Sequence, residues 1–439
     1  MTWLASLSVA LALLVGLLFI GTPIFIGFLV VNVIGVLYYF GPSGFGLFAN
    51  SMFTTATNSA LGAVPLFIVM GELLFRSGAM EVLFDSLDRL IGKIRGRQYV
   101  LCVLLSAILG ALSGAAMAVA GLLGRSLFPS MIKRGYDVKL SAGTILGGAS
   151  LDPIIPPSVL AVIIASLAEI STGKLLIAGI VPGLMLTGMF LVYVLVKVWI
   201  DPKLAPDVAA DLNERNTSGS AFMALVRMLP ACFIFFMVMG LVMLGIATPT
   251  EAAAAGAFGA FVLAYFYRGL SKSMLLACFT SAVKVSALLL LVMCSAVMFS
   301  QLLTFGGAPR ALGQLVIEMK LSTGAMVFAM LLVPIVLHFM FLDQIAIMFI
   351  LIPIFKPIIT LYGIDPIWFW TMFLVVETVC AIWPPFGYTL FAMKTAVPDV
   401  PMSIIFNASW PFVWLICLGT VIMWLFPGAV TFLPELMGP

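Results

Sequence analysis

The chain has 439 residues, of which 63% are apolar and only 9% charged, against about 25% charge in an ordinary soluble domain. That balance excludes a soluble globular protein. It also argues against a nucleic-acid surface, because the 21 Lys and Arg are split among short loops rather than gathered in a patch.

The N-terminal half opens with apolar blocks Leu4 to Ile20 and Ile24 to Phe40, separated by the turn Gly21-Thr22-Pro23. The first Lys or Arg is Arg76. The opening block therefore lacks the basic n-region of a signal peptide and is expected to stay as a span. Gly41 to about Thr57 reads as a loop, and Asn58 to Phe75 as a third apolar block carrying Glu72. Met80 to Ile91 has acids and apolar residues at helical spacing. It is expected to be an amphipathic arm in the interface, ending in the basic turn Lys93, Arg95 and Arg97. Tyr99 to Ala111 and Met117 to Phe128 flank the small-residue tip Leu112-Ser113-Gly114-Ala115-Ala116. Each limb is short for a span, which predicts a re-entrant hairpin over about 99–128. Val138 to Ala168 is an apolar helix-like run interrupted by Gly147, Gly148, Asp152, Pro153, Pro156 and Pro157. Leu175 to Val198 is expected as an unbroken span.

Residues 201–221 form the longest polar stretch and read as a cytoplasmic linker between a first repeat, 1–200, and a second, 222–439. The second half offers spans Phe222 to Leu244, Glu251 to Tyr267 and Met274 to Leu303, then a short arm near Pro309 to Glu318. A second hairpin is expected over about 323–360 with Asp343 near its tip. A second broken helix covers 366–396, with its gap at Trp383-Pro384-Pro385, and Ile404 to Phe426 is the last span.

The halves match at one offset. Pro129, Gly135, Asp137, Pro156 and Pro157 recur 228 positions later as Pro357, Gly363, Asp365, Pro384 and Pro385. If each hairpin counts as no crossing, an odd number of crossings separates equivalent points, so the two repeats are expected to be inverted. Placing the Lys93 to Arg97 turn in the cytoplasm puts fifteen of the 21 cations on or near that side and four (Lys174, Arg310, Lys320, Lys356) outside. That bias follows the positive-inside rule. The fold class expected is an all-α polytopic membrane protein with two inverted repeats, each holding a re-entrant hairpin and a broken helix. Trp368, Trp370, Trp383 and Trp410 lie near proposed ends or breaks and read as anchors or packing groups.

Further stretches complete a family pattern. Pro65 to Leu74 (PLFIVMGELL), Ile155-Pro156-Pro157-Ser158 and Ile177 to Gly183 (IAGIVPG) stand in the first half. Gly245 to Ala252 (GIATPTEA), Gly363-Ile364-Asp365-Pro366 and Trp383-Pro384-Pro385-Phe386-Gly387 stand in the second. In this order, over nearly the whole chain, they resemble the large membrane subunit of tripartite ATP-independent periplasmic (TRAP) transporters. The resemblance implies an elevator-type carrier of the bacterial inner membrane, driven by sodium. It also implies a small four-helix membrane subunit and a periplasmic substrate-binding protein that delivers a small organic anion. Two departures stand out. Gly114-Ala115-Ala116-Met117 lacks a hydroxyl where the family has Gly-Ser-(Ser/Gly)-Ala, and Leu151-Asp152-Pro153 places a charge where the family has glycine and apolar residues.

Sodium needs several oxygens, which broken helices supply as carbonyls with a hydroxyl or carboxylate. One candidate set is Ser113, Gly114, Gly147, Gly148 and Asp152 beside the Pro156-Pro157-Ser158 break. The other is Asp343, Glu377 and Thr378 beside Pro384, Pro385 and Gly387. Glycine permits close approach, and proline frees a carbonyl; the competing reading is helix packing for the glycines and kinks for the prolines. An ionised Asp152, Asp343 or Glu377 at mid-membrane costs on the order of 3 kcal/mol, so each is expected to face protein, water or a cation. Asp152 alternatively caps a helix, and Asp343 and Glu377 alternatively make internal polar contacts. Glu72 and Glu251 are expected to be structural, Glu251 as part of a helix start after Pro249. Arg125 and Lys284 either attract an organic anion or snorkel, and His338 is expected to be packed rather than a proton relay. The six cysteines are scattered as small core residues. No phosphate loop, transition-metal cluster or hydrolase triad stands out, so neither an enzyme nor a cofactor other than sodium is expected. A membrane scaffold with no translocation path is the competing function. In the carrier reading, the hairpins and broken helices move together, while Leu175 to Val198 and Ile404 to Phe426 hold the static side.

Overall fold

The computed structural model describes residues 3–113, 115–207, 221–267, 269–339 and 344–437. Every regular element among them is helical. Seven helices among the described residues are long and apolar enough to cross a membrane: Ile24–Ala56, Ser59–Arg76, Thr172–Ile200, Phe222–Met243, Lys272–Phe305, Gln344–Leu361 and Met402–Leu425. The chain is an all-α, multi-pass membrane protein with broken helices among its spans.

The helix ends follow from local chemistry. Asp137 caps Val138–Ser150 by accepting from the Leu140 amide at 2.7 Å, and Asp365 caps Pro366–Ile382 by accepting from the Trp368 amide at 2.7 Å. Before each cap stands a left-handed glycine, Gly135 at φ +86° and Gly363 at φ +61°. Only glycine takes that conformation without a Cβ penalty. Pro156-Pro157 and Pro384-Pro385 are both cis. The sequence spacing of 228 is thus also a repeat of backbone geometry. The arms match as well: Gly78 (φ +86°) precedes Ala79–Leu90, and Gly307 (φ +76°) precedes Ala308–Glu318.

Packing sorts the helices into two groups. Ala63–Arg76, Pro249–Tyr267, Lys272–Phe305 and Ile24–Phe40 pack together, and the first arm lies on Ala221–Met243. The hairpin limbs and both broken helices form the other group, and the first limb, Arg97–Ser113, also packs on Ala63–Arg76 of the first. Thr172–Ile200 and Met402–Leu425 belong with that second group by packing, against the expectation that they stand on the static side. Small residues explain it. The Phe412 ring lies where a Cβ on Gly143 or Gly147 would stand, so Met402–Leu425 approaches Val138–Ser150 closely. A cavity of ≈ 450 Å³ separates the groups where Asn58, Ser286 and Ile163 face one another, and Asn58 Nδ2 bridges it to Ser166 Oγ at 3.1 Å.

Two further expectations are corrected. The supposed loop Gly41 to Thr57 is largely the helix Phe45–Ala56. Its threonine hydroxyls are satisfied locally: Thr54, Thr55 and Thr57 donate to the carbonyls of Asn50, Ser51 and Phe53 at 2.8–2.9 Å. Leu175 to Val198 is not one unbroken helix, because Thr172–Ala178 and Ile180–Ile200 join at Gly179. Pro182 has no N–H to give the Ala178 carbonyl, and the Ile154 carbonyl presses so near Gly179 that a Cβ there would be 2.3 Å from it. A terminal helix, Gly428–Glu435, was not anticipated.

The basic turn after the first arm is tied to the start of the polar stretch. Arg97, 1% exposed, pairs with Asp88 of the first arm. Tyr99 Oη donates to the Leu204 carbonyl at 2.6 Å, and Arg95 donates to the Ala205 carbonyl. The linker thus starts pinned against the base of the first hairpin, while 208–220 lies outside the described residues. Asp365→Ala should cost about 1 kcal/mol, the usual worth of a helix N-cap. A detergent unfolding titration should show that loss, and an equal one for Asp137→Ala; no loss at either position would refute the matched caps.

Candidate functional site

At the first break the helix stops at Ser150 and restarts at Val159. The Ile154 and Ile155 amides turn back to the Leu151 carbonyl, both at 3.1 Å. Ser158 caps the restart by accepting from the Ala161 amide at 3.2 Å. At the second break Pro366–Ile382 ends at Trp383, and Tyr388–Ala396 follows. The Phe386 and Gly387 amides return to the Trp383 carbonyl at 3.1 and 2.8 Å. Thr389 Oγ1 donates to the Ala381 carbonyl at 2.6 Å, and no Cβ would fit on Gly387, 2.6 Å from that same carbonyl.

The hairpin limbs meet these breaks. The first limb, Arg97–Ser113, crosses Val138–Ser150 where Ser106 fills the space a Cβ on Gly148 would need, and Gly110 packs on the Asp152 backbone. The second limb is Ala116–Ser126. In the other hairpin, Gln344 begins the limb Gln344–Leu361, and its Nε2 donates to the Glu377 carbonyl at 3.3 Å. Glu169 at the end of Val159–Ala168 pairs with Lys356 of that limb at 2.7 Å.

The predicted residues therefore fall as follows. Gly114 and Asp343 lie outside the described residues, as does the Ser113 side chain at the end of its helix. Gly147 and Gly148 are buried packing positions under Phe412 and Ser106. Asp152, 8% exposed, lies in the break with its Oδ1 lacking a hydrogen-bond partner. It does not cap the helix that follows, a role taken by Ser158. Glu377 and Thr378 are both fully buried, and the Thr378 hydroxyl donates to the Val375 carbonyl at 2.6 Å, leaving its oxygen lone pairs. Glu72 pairs with Arg76 at 2.7 Å and accepts from Ser281 at 2.7 Å. Glu251 forms a reciprocal capping box with Thr248, accepting from its amide at 2.8 Å while the Glu251 amide donates to the threonine hydroxyl at 3.3 Å. Arg125 and Lys284 are exposed, whereas His338 is buried. No group of three or more His, Cys, Asp or Glu among the described residues could hold a metal.

Sequence reasoning did not single out Gln344 or Thr389. Both are ordinary residue types in an apolar run; the signal available was position, since Gln344 lies 228 after Ala116 and so starts the equivalent limb. Trp383 stacks edge-on against Trp410 with centroids 5.3 Å apart, and Trp370 is buried packing.

The profile of the family described as "Tripartite ATP-independent periplasmic transporter, DctM component" matches residues 11–429. The chain belongs to this family. It is the large permease component of a TRAP-type secondary transporter, placed in the inner membrane, and the scaffold alternative gives way to transport. A C4-dicarboxylate TRAP large permease of Pseudomonas aeruginosa is 31% identical over 91% of this chain and 92% of its own. The ectoine TRAP large permease of Halomonas elongata is 27% identical, covering 98% and 99%. The sialic acid TRAP large permease of Vibrio cholerae is 27% identical, covering 96% of each. In fold the chain is similar to the YdaH transporter of Alcanivorax borkumensis, with a TM-score of 0.63 and 16% identity over 88% and 89% of the two chains.

Gly147→Ala tests the packing at the first break. A Cβ there would stand 2.1 Å from the Phe412 ring, so overpacking should cost about 1–3 kcal/mol. Combining it with Phe412→Leu should recover part of that loss in a thermal unfolding assay; full stability of the single variant would contradict the geometry.

Proposed function

We propose that this TRAP permease carries a small organic anion inward with sodium, by an elevator movement of the group that holds both hairpins and both broken helices. The observation that carries this reading is the repeated opening of the backbone. The same N-cap and left-handed glycine recur at a spacing of 228, each just ahead of an apolar helix that breaks at a prolyl pair. Irregular backbone at membrane depth persists where protein covers it or where it lines a cavity, and carriers use such breaks to hold ions and substrate. In this reading the chain is two inverted repeats, 1–200 and 222–439, with re-entrant hairpins near 99–128 and 323–360.

Two oxygen sets serve the sodium ions. Ser113, Gly114, Gly147, Gly148 and Asp152 with the carbonyls around Pro156-Pro157 form one. Asp343, Glu377 and Thr378 with those around Pro384-Pro385 form the other. The glycines contribute carbonyls, since their own space is filled by neighbours. The packing of Thr172–Ile200 and Met402–Leu425 on the broken helices supports including both in the moving unit. The cavity beside Asn58 and Ser286 supports a loosely packed face against the remaining helices. The chain's partners in this reading are a small four-helix membrane subunit and a periplasmic binding protein. The relatives' names span C4-dicarboxylates, ectoine and sialic acid. A carboxylate is common to those solutes and is the substrate feature proposed here. With an inside-negative potential, each net positive charge carried inward gains about 2.3 kcal/mol per 100 mV, so sodium in excess of the anion's charge drives accumulation.

The test is uptake of radiolabelled succinate, ectoine and N-acetylneuraminate into proteoliposomes holding both membrane subunits, supplied with the binding protein. An inward sodium gradient should raise uptake of one of them, and a response to a proton gradient alone would overturn sodium coupling. Thr378→Val should raise the sodium concentration for half-maximal uptake by about tenfold, the loss of roughly 1.4 kcal/mol of ion binding. Cysteines placed at 113 and 342 should react with an impermeant maleimide from opposite membrane faces. Labelling of both from one face would refute inverted gates.

A further inference from the structure

The first arm, Ala79–Leu90, is seated on one group of helices and fastened to the other. It packs on Ala63–Arg76 and Ala221–Met243, with Leu83 and Leu87 buried. The turn 91–96 then leads into the first hairpin limb, Arg97–Ser113, through left-handed glycines at Gly92 (φ +72°) and Gly96 (φ +79°). Along the arm, contact with the hairpin is interrupted by a cavity of ≈ 420 Å³. Met80 and Phe84 of the arm line it, with Leu105, Leu109 and Leu122 of the two limbs. At the turn the two elements are tied. Arg97 Nη2 donates both to the Asp88 carboxylate and to the Asp88 carbonyl, one of the acceptors that the end of a helix leaves open. Gln98 Nε2 reaches the same carboxylate at 3.4 Å.

The burial of this pair is uneven in its satisfaction. Arg97 is 1% exposed, yet its Nε and Nη1 have no hydrogen-bond partner. The neighbouring cation, Arg95, is used differently: it pairs with Asp207 at 3.1 Å and donates to the Ala205 carbonyl, both at the start of the polar stretch. A buried ion pair is costly to break by removing one member, because the other is left as an uncompensated charge. Here the pair is also costly to keep, since each unpaired buried donor has lost its hydration. Opening of the turn would return the guanidinium to water and satisfy those nitrogens. Attraction closes the pair and unmet donors oppose it, the balance that a reversible contact requires.

We propose that Arg97–Asp88 is a conformational latch across the turn 91–96. It holds the first hairpin against the arm in the conformation of this structure, and it opens when the hairpins and broken helices travel. This rests on the elevator reading above. The arm cannot follow the hairpin without pulling Leu83 and Leu87 from their seat, so displacement between the groups falls on the turn that the ion pair spans.

The test reads the distance between the groups by pulsed electron paramagnetic resonance. Nitroxides are placed on Trp199→Cys and Phe222→Cys in the full-length chain, reconstituted with the small membrane subunit in lipid nanodiscs. Trp199, 82% exposed, stands near the end of Ile180–Ile200 in the moving group, and Phe222, 71% exposed, near the start of Ala221–Met243 in the other. Asp88→Asn and Arg97→Gln should each raise the share of a second distance, relative to that of the present structure, about fivefold or more. The double variant should go no further than the larger single one. Arg97→Lys, which keeps the charge, should fall between, and it replaces Arg97→Gln should that variant not fold. Arg95→Gln, which loses ties lying within the moving group, should leave the distances unchanged. One distance in every variant would overturn the elevator reading and the latch with it. Two distances whose shares are unmoved by Asp88→Asn and Arg97→Gln, multiplying effects in the double variant, or an equal shift in Arg95→Gln would overturn the latch alone.

Discussion

The architecture depends on one constraint: a peptide group freed inside a transmembrane run has no water to turn to. Leaving it bare costs several kcal/mol, so each break must come with its own cover. The two breaks meet that demand differently. The first turns its amides back to Leu151 and hands the restart to the Ser158 hydroxyl. The second turns its amides back to Trp383 and ties Thr389 to the Ala381 carbonyl across the gap. The prolines that open the breaks carry no N–H, so the groups most in need of cover are carbonyls. Carbonyls are also what a hard monovalent cation needs, so the ion chemistry proposed above would fall at the same place.

Covering the breaks fixes much of the surrounding packing. Helices must come close enough for the hairpin limbs to seal the gaps, and close approach demands residues without side chains. Gly110 against Asp152, Gly148 against Ser106 and Gly179 against the Ile154 carbonyl are three such approaches. The last explains why Thr172–Ile200 carries a joint rather than running straight. It is shaped by the break beside it, and Met402–Leu425 is held in the same way by Phe412 lying over Gly143 and Gly147. These spans are extensions of the broken helices' packing, which an outward-facing apolar composition hides.

What was legible in the sequence was local and repeated. Asp137 and Asp365, Gly135 and Gly363, and the prolyl pairs each have a backbone role that residue type nearly dictates, and their common spacing marks the duplicated geometry. The limbs of the first hairpin stood out as short apolar runs, whereas Gln344–Leu361 is long enough to cross a membrane. Phe45–Ala56 was not, because its glycines and hydroxyls resemble a loop until one sees the hydroxyls donating within the helix. The grouping of spans was not legible either, since two fully apolar helices look alike whatever they pack against. At the site, the acids announced themselves by their cost in an apolar run. Gln344 did not, because its work is a single bond to a carbonyl 33 residues away.

The repeat is one of backbone and not of side-chain chemistry. At the first break the acid, Asp152, sits buried inside the gap. At the second, Glu377 lies six residues before Trp383, about 9 Å back along the helix, fully buried, and it is its carbonyl that the hairpin residue Gln344 engages. Equivalent openings in the backbone thus present a carboxylate in one case and a main-chain oxygen in the other. Backbone geometry determines where the chain can be opened, and the side chain placed there differs between the two breaks.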